Sequence, residues 1–345
     1  MNETLRENDG DILLYGDSMG YKPLREFIAH QMQLNAVHVN SSEIIITNGA
    51  QNALELLLKL FIEPNSEVII ETPAYSAIIP LLKYYHAKIL EIPIKEDGLD
   101  LDILESTLAN HQAKLLYTMP NFQNPTGITS SQAHRERLLE ICEKYQIPII
   151  EDGFVEEMKY FGRNILPIKS MDKSGLVFYV GTFSKVLFPG LRLGWIASNV
   201  YCTDRFSEIK KASEISGNML IQTALELFCS KGLYEMQLKR IHKVYRKRMN
   251  IALKTLRENI HNPNIIYTKP FGGYTIWFEI NNSNRLESDL VQLLYQHGVM
   301  VTLGSVSYYS ASKKVNFRIS IAHRTEDEIE QGIKIIAQTL NTLKY

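Results

Sequence analysis

Short runs of Ile, Val and Leu recur through the N-terminal part of the chain, separated by longer stretches with apolar residues every three to four positions. Such alternation predicts a parallel sheet whose strands are joined by covering helices. Strands are expected at residues 44–46, 68–71, 88–92, 115–119, 148–151, 177–181 and 194–198, seven in one large sheet. Residues 53–61 and 135–145 carry helical spacing, as in Leu138, Leu139, Ile141 and Cys142. Beyond Asp204 helix follows helix, and the charged stretch 234–259 predicts one long helix leading out of the large lobe. Strands at 274–279, 299–303 and 316–321, with helices at 287–297 and 325–343, predict a second lobe. The expected fold class is therefore α/β: a large three-layer domain with a seven-stranded, mostly parallel sheet, plus a smaller C-terminal α+β domain. The expected division is an N-terminal arm at 1–25, the large domain at 26–245 and the small domain at 246–345.

Length and composition narrow the function classes. A chain of 345 residues, 45% hydrophobic, buries one large core and commonly divides into two lobes. With 37 basic against 38 acidic residues the net charge is -1, which leaves no broad cationic field for nucleic acid or anionic lipid. Small-molecule partners are expected instead. Cys142, Cys202 and Cys229 lie far apart without the paired spacing of a metal site, so no metal is expected and a reduced compartment is. The opening MNETLRENDGD is acidic and polar, and no apolar run approaches membrane-spanning length. Neither a signal peptide nor a transmembrane helix is expected, and the expected location is cytoplasmic.

Ligands of parallel sheets bind beyond the carboxyl ends of the strands, so polar residues just after strands are the first candidates. Lys185, in GTFSK directly after the run LVFYV, is a candidate functional amine, because burial and nearby cations lower an amine's pKa and suit it to imine formation with an aldehyde cofactor. Taken alone it also fits a surface lysine at a helix start. A pyridine cofactor acting as an electron sink needs a carboxylate beside its ring nitrogen, and Asp152, ending a strand, can serve; a helix cap or loop acid is the plainer alternative. A phosphate needs backbone donors, hydroxyls and a guanidinium. Gly49, Ala50 and Gln51 open a helix after the first strand, Thr182 and Ser184 flank Lys185, and Arg192 follows in PGLRLGW. Singly these fit a tight turn and a solvated charge; it is their convergence that points to phosphate. Tyr75 is placed to stack on a ring or to pack half-buried, and Asn124, in the turn NPTG, to donate its amide to a ring hydroxyl. Arg318 alternates with Phe317 and Ile319, pointing away from the face they bury, and suits a substrate carboxylate.

The motifs YGDSMGYKPLR, ITNGAQNAL, ETPAYS, PNFQNPTG, IIEDGF, GTFSKVLFPGLRLGW and NFRIS, in this order from about Leu14 to the C-terminus, resemble the fold-type I aminotransferases of classes I and II. The chain is most similar to the catalytic-type domain of MocR regulators and to aminoadipate aminotransferases. The resemblance implies pyridoxal 5'-phosphate as cofactor and an amino acid and a 2-oxo acid as substrates. It makes Lys185 the Schiff-base lysine, Asp152 the partner of the pyridinium nitrogen, Asn124 the amide on the ring oxygen and Tyr75 the stacking ring. Thr182 and Arg192, with the backbone at Ala50 and Gln51, match the phosphate clamp, and Arg318 the arginine for the α-carboxylate. Tyr15 resembles the tyrosine that reaches the neighbouring subunit's cofactor phosphate, which implies a homodimer with active sites at the interface.

Two departures from the pattern stand out. Phe154 occupies a position where many relatives carry a tyrosine that donates to the ring oxygen, so that hydrogen bond is expected to be missing. Relatives also carry an apolar, glycine-rich segment ahead of the YGDSMGY motif, and 14 residues precede Tyr15, so part of the pocket is expected to be absent. The leading expectation is an aminotransferase. The alternatives are an effector-sensing domain derived from a MocR-type regulator with little turnover, for which no winged-helix DNA reader fits ahead of Tyr15, and another reaction of the same cofactor such as a lyase.

Overall fold

Segments rich in Ile and Val pair side by side because a sheet covered on both faces takes apolar residues at every position rather than at alternate ones. The computed structural model describes residues 11–162, 165–282, 286–312 and 314–342. The start of the expected arm and the end of the last expected helix, at 343, lie outside the described residues. The strands of the large sheet are β1 (Ile44–Thr47), β2 (Glu67–Thr72), β3 (Lys88–Lys95), β4 (Gly98–Leu99), β5 (Ala113–Thr118), β6 (Ile149–Asp152), β7 (Val177–Thr182) and β8 (Gly194–Ala197). Their order is β1-β8-β7-β6-β5-β2-β3-β4. Strands β3, β2, β5, β6 and β7 run parallel, and β8 is antiparallel to both β7 and β1. The expected sheet of seven thus becomes one of eight: β4 folds back on β3 as a hairpin, and its two residues are too few to carry a period.

The helices of this part are α1 (Lys22–Gln33), α2 (Ala50–Phe61), α3 (Ile78–Tyr84), α4 (Leu101–Asn110), α5 (Gln132–Tyr145), α6 (Val200–Glu214), α7 (Met219–Ser230) and α8 (Leu233–Asn259). Successive strand residues point to opposite faces, so Val68 and Ile70 of β2 join the core under α2, with Leu54 and Leu57, while Ile69 joins Leu104, Leu138 and Leu139 of α4 and α5. Local chemistry sets the helix ends. The Asp100 side chain accepts the backbone N–H groups of Asp102 and Ile103 at the start of α4, and Ser131 that of His134 at the start of α5.

The second sheet, in the order β11-β12-β10-β9, is antiparallel and comprises β9 (Ile265–Tyr267), β10 (Thr275–Ile280), β11 (Thr302–Leu303) and β12 (Val315–Ser320). It is covered by α9 (Glu287–Gln296) and α10 (Glu326–Asn341), and α8 packs along α10. Strand β9 has no counterpart in the sequence reading. The strand expected at 299–303 is confined to 302–303, because the Val299 N–H closes the end of α9 on the Leu294 carbonyl. Since β2, β5, β6 and β7 run parallel, Thr72, Thr118, Asp152 and Thr182 all end at one edge. Arg318, from the middle of β12, meets that edge from the second sheet.

Candidate active site

Asp152 closes β6 on the same face as Ile150, with 1% of its surface exposed. Its Oδ2 accepts the Tyr117 hydroxyl at 2.8 Å and its Oδ1 the Phe154 N–H at 3.1 Å. Burial pushes the carboxyl up to about 6, opposed by these two donors and by the Lys185 amine. Lys185 sits in a turn immediately after β7 rather than in a regular helix, with Nζ 5.7 Å from the centre of the Tyr274 ring. Burial is the main reason its amine lies below the ordinary lysine range; Arg318 and Arg192 add to the shift and Asp152 opposes it.

Arg318 projects away from buried Phe317 and Ile319, as the alternation predicts. Its Nη1 donates to Asn124 Oδ1 at 2.7 Å and its Nη2 to Thr302 Oγ1 at 3.2 Å, while its buried Nε has no partner. The bond orients Asn124 so that its carbonyl faces Arg318 and its amide hydrogens remain to donate elsewhere. The loops carrying Asn124 and Tyr75 are tied by one buried carboxylate, Glu71. It accepts from the Thr118 hydroxyl at 2.5 Å, the Met119 N–H at 3.0 Å and Gln123 Nε2 at 3.2 Å, and the same Gln123 nitrogen donates to the Pro73 carbonyl at 2.8 Å. Burial raises Glu71 to about 7.

Gly49 caps α2 with φ at +84°, a conformation glycine adopts without strain, and a Cβ there would lie 2.8 Å from Arg192 Nη2. Arg192 is exposed and donates from Nη2 to the Asn48 carbonyl at 3.1 Å. Thr182 Oγ1 bonds to Ser184 Oγ and the Leu193 carbonyl, and accepts the Ser184 N–H, which folds the turn ahead of Lys185. Ala50 and Gln51 begin the helix, and Gln51 Oε1 is buried without a partner. Tyr75 is half-buried; burial raises its hydroxyl, with Asp152 adding and Arg318 and Arg192 opposing, so it feels both sides of the site. Phe154 is buried, its ring edge-on to Tyr274 at 6.3 Å. Tyr15 is 82% exposed.

These residues fit a phosphorylated pyridine cofactor on their own chemistry. The buried Asp152 carboxylate is bonded only by neutral donors and suits a ring cation, and the side-chain-free Gly49 beside Arg192 opens an anion cradle at the start of a helix. Three residues that the sequence reading passed over also belong here: Tyr117 on Asp152, Tyr274 beside Lys185 and Thr302 on Arg318. Tyr117 and Thr302 lie within strands and Tyr274 just before one, whereas the positional signal used was a polar residue directly after a strand. A cavity of about 740 Å³ lies elsewhere, between α1, α8 and the segment after β6, and shares no residue with the Lys185 constellation. Among the described residues no group of three or more His, Cys, Asp or Glu could hold a metal, and no helix is long and apolar enough to cross a membrane.

Known proteins similar to this chain include aminotransferases and transcriptional regulators. Residues 1–336 match the family model for aminotransferase class I and II. The chain is 31% identical over 344 residues to the aromatic-amino-acid aminotransferase 1 of Thermococcus litoralis, covering 98% of this chain and 82% of that protein. It is also 31% identical to the helix-turn-helix-type transcriptional regulator YdfD of Bacillus subtilis, covering 92% of this chain and 65% of the regulator. The crystal structure of Pyrococcus horikoshii kynurenine aminotransferase, solved with PMP, superposes with a TM-score of 0.93 at 29% identity, covering 99% of this chain and 85% of that one. The chain belongs to the aminotransferase class I and II family, the pyridoxal-phosphate-dependent transaminases of fold type I.

Proposed function

We propose that the Lys185 constellation is the transamination centre, moving an amino group from an amino acid to a 2-oxo acid. The observation that carries this is a half-buried amine just after β7, beside the Tyr274 ring, which burial lowers below its ordinary range and which the charges of Asp152 and Arg318 both reach. Bound pyridoxal phosphate supplies the aldehyde and the electron-withdrawing ring. Lys185 would hold the cofactor through Nζ, and the same amine, lowered by burial, would hold and move the proton of the donor's α-carbon. Asp152 would keep the ring nitrogen protonated, and Asn124, whose Oδ1 is held by Arg318, would have its Nδ2 free to donate to the ring oxygen. Tyr75 stacks on the ring. Gly49, Ala50, Gln51, Thr182, Ser184 and Arg192 hold the phosphate, and Arg318 takes the donor's carboxylate as a two-nitrogen fork.

The aromatic groups around Lys185 (Tyr75, Phe154 and Tyr274), together with the aromatic amino acid and kynurenine in the relatives' names, support a donor with an aromatic side chain. The assembly is a homodimer in which exposed Tyr15 reaches the neighbouring site, and the unpaired cysteines fit a cytoplasmic enzyme. The large domain spans 26–245 and the small domain 246–345, following the two sheets, with 1–25 as the arm. The likeness to YdfD supports a second reading, an effector-sensing domain that binds cofactor and amine without completing turnover. Titrating the purified holoprotein with amino acids separates the two: conversion of the cofactor to its amine form, reversed by a 2-oxo acid, is expected of the enzyme. Binding without conversion would sink the transaminase reading.

A further inference from the structure

Asp152 is held from behind by a residue that no motif singles out. Tyr117 precedes the last residue of β5, its side chain shares the face of Leu115, and 1% of it is exposed. Parallel pairing sets Tyr117 beside Ile150, and from there its hydroxyl reaches two residues further along β6 to Asp152 Oδ2 at 2.8 Å. The Phe154 N–H takes Oδ1. One donor on each oxygen locks the carboxyl plane, while each oxygen keeps a lone pair for a further donor. Both donors are neutral, so they orient the negative charge without cancelling it.

We propose that Tyr117 is a positioning residue for Asp152, its hydroxyl fixing the carboxylate in the orientation that holds the cofactor's ring nitrogen. This rests on the reading of Asp152 as the partner of that nitrogen. A plain structural role is the competing account, because a buried tyrosine hydroxyl takes an acceptor wherever it lies. The two accounts differ in what the hydroxyl acts on: a positioning role reaches the cofactor only through its nitrogen.

Tyr117→Phe removes the hydroxyl and keeps the ring volume. Affinities of the cofactor-free full chain for pyridoxal phosphate, and for its analogue with CH in place of the ring nitrogen, are read by quenching of tryptophan fluorescence. The expected result is a loss of about ten-fold for pyridoxal phosphate and less than about two-fold for the analogue, the scale of one oriented partner acting on a bound group. Because both ligands meet the same folded protein, a general loss of stability moves both affinities together. Equal losses, or none, would overturn the proposal. Asp152→Asn measured in parallel tests the foundation: if it leaves the preference between the two ligands unchanged, Asp152 does not face the nitrogen, and the underlying reading falls independently of Tyr117.

Discussion

The carboxylate of Asp152 lies in the interior, 1% exposed and bonded on both oxygens, whereas the guanidinium of Arg192 stands at the surface on a single backbone carbonyl. The fold thus prepares the two parts of the cradle differently. At the buried part charge is taken out of water, which raises Asp152 to about 6 and keeps it poised for a cation. At the surface part water solvates the guanidinium until an anion replaces it. On the proposed assignment the labour is divided: the interior carboxylate tunes the ring of a bound cofactor as well as gripping it, and the surface guanidinium only grips its phosphate.

The largest effect belongs to the amine between the two parts. Lys185→Ala is expected to lower the transamination rate by roughly 10⁴-fold, the upper range for a positioned acid–base group, while cofactor still binds non-covalently through the phosphate clamp. Borohydride reduction and peptide mass mapping of the unsubstituted protein check the assignment; a label on another lysine refutes it. Asp152→Asn should lower the rate by about 10² to 10³-fold, the loss typical of one preorganised electrostatic partner. Its sign with pH is fixed by the raised carboxyl: below about 6 the carboxyl is protonated and resembles asparagine, so the affinity advantage of the unsubstituted protein should grow as pH rises and level off above about 6. A pH-independent ratio would remove Asp152 from the ring.

Arg318→Ala should weaken amino-acid binding by about 1.5 to 3 kcal/mol with cofactor retained, and leave simple amines nearly unaffected. Equal losses for both classes of ligand would take Arg318 off the carboxylate. Arg192→Ala tests the surface part directly: cofactor dissociation should quicken by about ten-fold, with kcat unchanged at saturating cofactor. A fall in kcat at saturation would break the division of labour. The smallest change is expected from Phe154→Tyr, which adds a donor beside Asn124 toward the ring oxygen. The pKa of the Lys185–cofactor linkage, read by spectrophotometric pH titration, should fall by about one unit, and an unchanged or raised value places position 154 away from that oxygen.

Strands such as β6 and β7 were legible because short apolar runs buried on both faces carry their own signal, and GTFSK, IIEDGF and PNFQNPTG were legible as polar residues at or just after the ends of apolar strands. Strand β4 was not, since two residues have no period, and 299–301 read as strand although it closes α9, since a short apolar run serves either end. By itself the sequence determined which residue types stand at the carboxyl edge of the sheet, because period-two alternation and parallel connection are local consequences of the backbone. Only the tertiary structure decided which of them meet. Arg318 reaches Asn124 across 194 positions, and Tyr117 takes Asp152 across 35, through the packing of two sheets and the register of two strands. Register and packing are chosen by the whole core at once, so no local pattern along the chain encodes those pairs.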